Sequence, residues 1–159
     1  MWNDGTTGKF NASLGFDGTD DYASTSGTIM LAATQATSSA FSWGGWFNPA
    51  ANPVSDTLIE KNREFTLTTD ASNKPTCSIW VAGAWSTAAV SSTALSLNSW
   101  QHVLCTYDGT TIKVYLDGML VGTAAQNAPI RSLNYTPLTT GHNFTGSATY
   151  YEGLVDDIR

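Results

Sequence analysis

A chain of 159 residues is the size of one domain, long enough to bury about two-thirds of its unfolded surface without help from a metal or a disulfide. Apolar residues make up 42%, with six each of Trp, Tyr and Phe, so disorder is excluded. The net charge is −6 and the seven Lys and Arg are scattered singly, which excludes nucleic acid and anionic membrane as partners, and no apolar run is long enough for membrane insertion. Charged residues are only 13%, while 23 Thr, 16 Ser and 14 Gly crowd the chain, so its surface is built from hydroxyls and amides rather than ions.

In chain order, Met1 precedes Trp2-Asn3-Asp4-Gly5, which reads as a turn at an artificial start. Met30 to Ala40 is Ala-rich but threonine-broken, without the basic flank of a secretion signal. Ile29 to Ala36 is the one stretch with a turn or two of helical pattern. Strand signals dominate the rest: Phe41 to Phe47, stopping at Asn48-Pro49, then Thr57 to Glu60, Phe65 to Thr69, Thr76 to Val81, Trp85 to Val90 and Trp100 to Tyr107. From Cys105 to Ala125, Asp108-Gly109 and Asp117-Gly118 each sit between β-rich runs, a hairpin signature that predicts a three-stranded meander. Within it Ile112, Val114 and Leu116 alternate with Lys113, Tyr115 and Asp117, giving one apolar face. About a dozen short strands without crossover helices argue for an all-β fold of two packed antiparallel sheets, a sandwich or jelly roll. Arg159 ends the chain inside what reads as a strand.

Cys77 and Cys105 allow one bridge or none; both lie in apolar strand contexts, which favours buried, reduced thiols over a bridge. With no CxxC, and with His102 and His142 far apart, zinc is not expected.

Five words go further: Leu14-Gly-Phe16-Asp17-Gly18-Thr-Asp20-Asp21-Tyr22, Phe41-Ser-Trp-Gly-Gly-Trp46-Phe-Asn-Pro49, Trp100-Gln-His-Val-Leu-Cys-Thr-Tyr107-Asp108-Gly109, Val114-Tyr-Leu-Asp117-Gly118, and Gly153-Leu-Val-Asp156-Asp157-Ile-Arg159. Their order and gaps resemble the laminin G-like, concanavalin A-like lectin/glucanase jelly rolls of bacterial and phage surface proteins. The resemblance spans nearly the whole chain. It implies two curved sheets, with first and last strands paired, in one domain over residues 1–159. It also implies a closing strand that runs on past Arg159, so the chain reads as a piece excised from a longer protein and clipped within its last strand. The fold hosts lectins, glycosidases and adhesive domains alike, so the words do not fix a ligand.

If the terminal strands pair as the resemblance implies, Asp20-Asp21 approaches Asp156-Asp157, and their repulsion calls for a cation. Structural calcium suits such a site, because it takes six to eight oxygens from carboxylates and turn carbonyls, and related domains often carry one. The alternative is that Asp17 and Asp20 cap a turn and that one Asp of the final pair faces solvent.

Glycoside hydrolysis needs two carboxyl groups about 5 to 9.5 Å apart. The chain has only Glu60, Glu64 and Glu152, and lacks the Glu-x-Asp-x-x-Glu strand motif of enzymes with this fold. Glu60 and Glu64 would lie about 13 Å apart on a continuous strand, unless Lys61-Asn62 turns the chain, so the chain is read as not an enzyme. His102 is read as structural. The aromatics remain, since sugar rings stack on Trp and Tyr while amides and hydroxyls fix their orientation. Trp46, Trp100, Phe16 and Phe41 fall within the family words and are assigned to packing. Trp80 and Trp85 flank a hairpin tip, and His142, Tyr150 and Tyr151 lie around a Gly/Ser/Thr loop; these five are the candidate ligand contacts, with Trp80 alternatively facing inward. The expectation is a non-catalytic carbohydrate-binding or adhesion module of an extracellular or surface protein. It would bind a glycan or cell-surface polysaccharide beside other domains of the parent protein. The alternative is a structural spacer or assembly domain, as in a phage or surface fibre, that binds nothing small.

Overall fold

The computed structural model describes residues 2–25, 40–51, 55–128, 130, 136–143 and 149–159, with side chains from residue 7 onward. The expected helical turns over Ile29 to Ala36 lie outside them, and no helix occurs among the described residues.

The strands are β1 (Trp2–Gly8), β2 (Asn11–Asp17), β3 (Ala23–Ser24), β4 (Phe41–Pro49), β5 (Thr57–Lys61), β6 (Phe65–Thr69), β7 (Pro75–Val81), β8 (Ala84–Trp85), β9 (Ala89–Val90), β10 (Gln101–Tyr107), β11 (Thr111–Leu116), β12 (Met119–Ala125), β13 (Leu138–Thr140) and β14 (Glu152–Asp156). They form two antiparallel sheets, ordered β1-β2-β14-β4-β10-β11-β12 and β3-β13-β5-β6-β7-β8, with β9 also on β7. The expected jelly-roll sandwich is the observed fold, and the N-terminal strands lie beside the C-terminal one. Trp2 to Gly8 is a strand paired with β2, not the turn expected at Trp2-Asn3-Asp4-Gly5, because Leu14 and Ser13 supply partners that no local pattern announces. Trp85 to Val90 divides into two short strands that both pair with β7.

Both Asp-Gly turns are hairpins. Asp117 and Gly118 both take positive φ, the conformation that matches the twist of the flanking strands. Asp117 also accepts the His102 N–H at 2.8 Å, tying the turn to β10. Asp108 accepts the N–H groups of Thr110 and Thr111 and the Thr110 hydroxyl, bonds that with Lys113 hold its carboxyl well below the usual range.

Period-two alternation fills the core. Trp43, Phe47, Val103, Cys105, Ile112 and Val114 from the first sheet meet Leu58, Ile59, Phe65, Leu67, Cys77 and Ile79 from the second. A bulge between Thr57 and Ile59 accompanies the complete burial of both Leu58 and Ile59. The cysteines are not free thiols: Cys77 of β7 and Cys105 of β10 form a disulfide across the sandwich, with Cα atoms 5.9 Å apart. Their inward positions were legible, but not that the two sheets would set them opposite each other. Trp46 is not in this interior. It stands half-buried on the outer face of the first sheet under Phe10, His102 and the Lys9 ammonium, which lies 4.3 Å from its ring centre.

Candidate functional site

The outward face of the second sheet carries two rows of polar side chains. Register sets Glu60 opposite Thr66 and Thr66 opposite Ser78 in one row, and Thr57 opposite Thr68 and Thr68 opposite Thr76 in the next. Because Phe65, Leu67, Cys77 and Ile79 use the other positions of β6 and β7 for the core, alternation forces these hydroxyls onto one surface. They floor a groove of about 420 Å³ whose lining also includes Asp70, Trp85 and Asn143. Thr66 donates its hydroxyl to the Ile59 carbonyl and Thr76 to that of Lys74, each at 3.2 Å, which fixes both hydroxyls and turns their lone pairs to incoming donors.

The expected pair Trp80 and Trp85 does come together. They face each other across the β7–β8 hairpin, edge to face with ring centres 5.2 Å apart. Trp85 lines the groove; Trp80 backs it, with the Arg63 guanidinium 5.8 Å from its ring centre. The hydroxyl rows were missed, although Phe65-Thr-Leu-Thr and Thr76-Cys-Ser-Ile alternate hydroxyl and apolar residues, which is their signature in sequence.

Near Asn143, the His142 and Tyr150 rings stack with centres 4.6 Å apart at 12°, and Tyr22, 5.4 Å from His142, extends the cluster. Tyr22 was not among the expected contacts; it follows the Asp20-Asp21 pair and is half exposed. Tyr151 is no ligand contact. It is fully buried between Phe16 and Phe47, its hydroxyl donating to the Leu154 carbonyl at 3.4 Å, because β14 turns alternate residues of this segment inward. Burial first, and then the Asp56 carboxylate, push its phenol well above the usual range. Asp56 is itself pushed up to about 6, by burial and then by the charge of Glu152.

Glu60, Glu64 and Asp70 do not form a hydrolytic pair. Glu60 opens onto the groove, whereas Glu64 is fully buried and ion-paired with Lys61, whose ammonium also donates to Thr136 Oγ1 at 3.3 Å. Asp70 lies four residues beyond Thr66, the partner of Glu60, so about 13 Å separates them along the strand, beyond the roughly 5 to 9.5 Å that glycosidase pairs use. Its Oδ1 is also committed to the N–H groups of Ser72 and Lys74.

The acidic pairs expected to share calcium are not brought together. Strands β2 and β14 do pair, but their antiparallel register sets Asp17, ahead of Asp20-Asp21, opposite Glu152. Asp156 then falls at the far end of β14, about 13 Å away. There Asp156 accepts the Phe10 N–H at 2.7 Å, and Asp157 pairs with Arg159 at 2.9 Å. No cluster of three or more His, Cys, Asp or Glu able to hold a metal occurs among the described residues. Asp20, Asp21, Asp156 and Asp157 therefore do not fit a common ion.

Solved structures share this architecture. Domain 4 of AbnA, an extracellular GH43 arabinanase from Geobacillus stearothermophilus solved in complex with arabinotriose, aligns with a TM-score of 0.71 at 12% identity over 100% of this chain and 80% of that one. Mouse laminin α1 domains LG4-5 align with a TM-score of 0.69 at 15% identity over 92% of this chain, which spans 40% of that one. The CBM40 of Ruminococcus gnavus IT-sialidase bound to α2,3 sialyllactose aligns with a TM-score of 0.65 at 11% identity over 100% and 92%. At these identities the likeness shows the fold. No curated protein sequence matches the chain. Residues 17–159 match the laminin G family described as the concanavalin A-like lectin/glucanases superfamily, and the chain belongs to that family.

Proposed function

We propose that the chain is a non-catalytic carbohydrate-binding or adhesion module of an extracellular or surface protein. The observation that carries this reading is the groove on the second sheet, where a hydroxyl floor and Glu60 offer hydrogen bonds while Trp85 offers an apolar ring face. The arabinotriose complex of the arabinanase domain and the sialyllactose complex of the sialidase module support it from the fold side. The Cys77–Cys105 bridge supports an extracellular location, since disulfides persist in oxidising compartments. The test is a broad glycan array followed by titration calorimetry. A hit that Trp85→Ala weakens by about tenfold, a loss of about 1.4 kcal/mol, supports the reading. Silence across neutral and acidic polysaccharides sinks it.

A second reading, an assembly domain, is favoured by one feature. The edge strand β12 exposes Met119 at 68% and Leu120 at 52% beside the Asp117-Gly118 turn. Sedimentation of the chain with and without Met119→Lys and Leu120→Lys separates the two readings: self-association lost in the double variant belongs to assembly.

A further inference from the structure

We infer that the groove grips a glycan at two aromatic ends, Trp85 at one and the Tyr22–His142–Tyr150 stack at the other, and so selects extended chains over short ones. This deepens the carbohydrate-binding reading and rests on it. Local pairing builds the second end. His142 and Tyr150 form an antiparallel bridge that lays one ring on the other. The register of Thr140 with Ala23 brings Tyr22, one residue ahead of β3, beside them. Two ties join this stack to the groove. Asn143, next to His142, lines it, and Thr149, next to Tyr150, donates its hydroxyl at 3.3 Å to the carbonyl of Ser55, another lining residue. Tyr22 remains 50% exposed although ring contacts hold it in place, and a fixed, accessible amphipathic ring is what the apolar face of a sugar stacks on.

The topology sets the two ends far apart. In the order β13-β5-β6-β7-β8, four spacings of roughly 4.8 Å put β13 about 19 Å from β8 along the sheet. His142 follows the end of β13, beside the start of β5, whereas Trp85 pairs with Trp80 near the close of β7. The start of β5 is level with the start of β7, so the line joining the two ends runs diagonally across the sheet, over the hydroxyls of Thr57, Thr66 and Ser78. A mono- or disaccharide reaches only one end. A longer chain resting on one end makes its contact with the other within the same molecule, at high effective concentration, and that gain vanishes when the chain is too short to span both.

The experiment titrates the whole chain with ladders of arabino-, xylo-, cello- and galacto-oligosaccharides, from monosaccharide to hexasaccharide. The expected result is a ladder whose hexasaccharide binds at least about tenfold more tightly than its disaccharide. Tyr22→Ala and Trp85→Ala should each remove most of that gain, while Tyr22→Phe, which keeps the ring, should preserve it. A second readout needs no variant and serves should Tyr22→Ala fail to fold: nitration of Tyr22 by tetranitromethane, followed by peptide mapping, should slow severalfold with the hexasaccharide bound. A hexasaccharide that binds no more tightly than the disaccharide, a folded Tyr22→Ala that keeps the full gain, or nitration that the hexasaccharide does not slow overturns the two-ended grip and leaves glycan binding standing. Absence of binding to every ladder overturns the carbohydrate reading itself, and the grip with it.

Discussion

Cys77 and Cys105 join the two sheets through the centre of the sandwich, one from β7 and the other from β10, 28 positions apart in sequence. Cross-linking a loop of that length removes enough freedom from the unfolded chain to contribute about 3–4 kcal/mol. Replacing both residues with Ala should keep the fold by circular dichroism and lower the stability measured in urea by that amount. A loss under about 1 kcal/mol would show that the bridge merely decorates a core already held by its neighbours.

Lys61 and Glu64 form an ion pair with side-chain exposures of 1% and 0%. Breaking such a pair from one side costs about 3–5 kcal/mol, because a charge is left in a low-dielectric interior without its counterion. Lys61→Met and Glu64→Gln should each lower the melting temperature sharply, and Lys61→Met/Glu64→Leu should recover most of the loss. Singles that leave the melting temperature unchanged would mean that water reaches this site.

What the sequence reveals divides by range. The Asp108-Gly109 and Asp117-Gly118 hairpins, and the strands from Phe41 to Tyr107, were legible because turn chemistry and alternation act between near neighbours. Sheet register is a long-range property. Hence the approach of Asp20-Asp21 to Asp156-Asp157 was misjudged, since antiparallel pairing of β2 with β14 sends the two pairs to opposite ends. The Cys77–Cys105 bridge depended on how one sheet lies over the other. Alternation says that one of Tyr150 and Tyr151 faces inward, but Phe16 and Phe47, distant in sequence, decide which. The groove itself was partly legible: Trp85 was picked out, whereas Glu60 became a groove residue only once β6 paired it with Thr66.

Tyr151 and Trp85 should therefore respond differently to truncation. Removing a fully buried aromatic side chain typically costs about 3–5 kcal/mol, so Tyr151→Ala should unfold the domain at lower temperature and affect binding only through folding. Trp85→Ala, in the groove wall, should weaken glycan binding while shifting the denaturation midpoint little. Paired calorimetry and binding curves decide this, and a Tyr151→Ala protein that melts like the wild type would contradict its place in the core.

Asp56 gives the domain a pH dependence of definite sign. Its carboxyl is pushed up to about 6 in the folded state, by burial and then by Glu152, against an ordinary value of 3.8. Between those values the folded state holds more of this proton than the unfolded state, so stability falls as pH rises from about 4 through 6, and the penalty is complete above it. Asp56→Asn removes the charge while its backbone N–H can still donate to Thr69 Oγ1. The variant should be more stable than the wild type by on the order of 1 kcal/mol at pH 7.5, with the advantage vanishing near pH 4. Melting curves of both proteins across that window measure it. An advantage that stays constant with pH would place its origin in packing rather than in ionisation of this carboxyl.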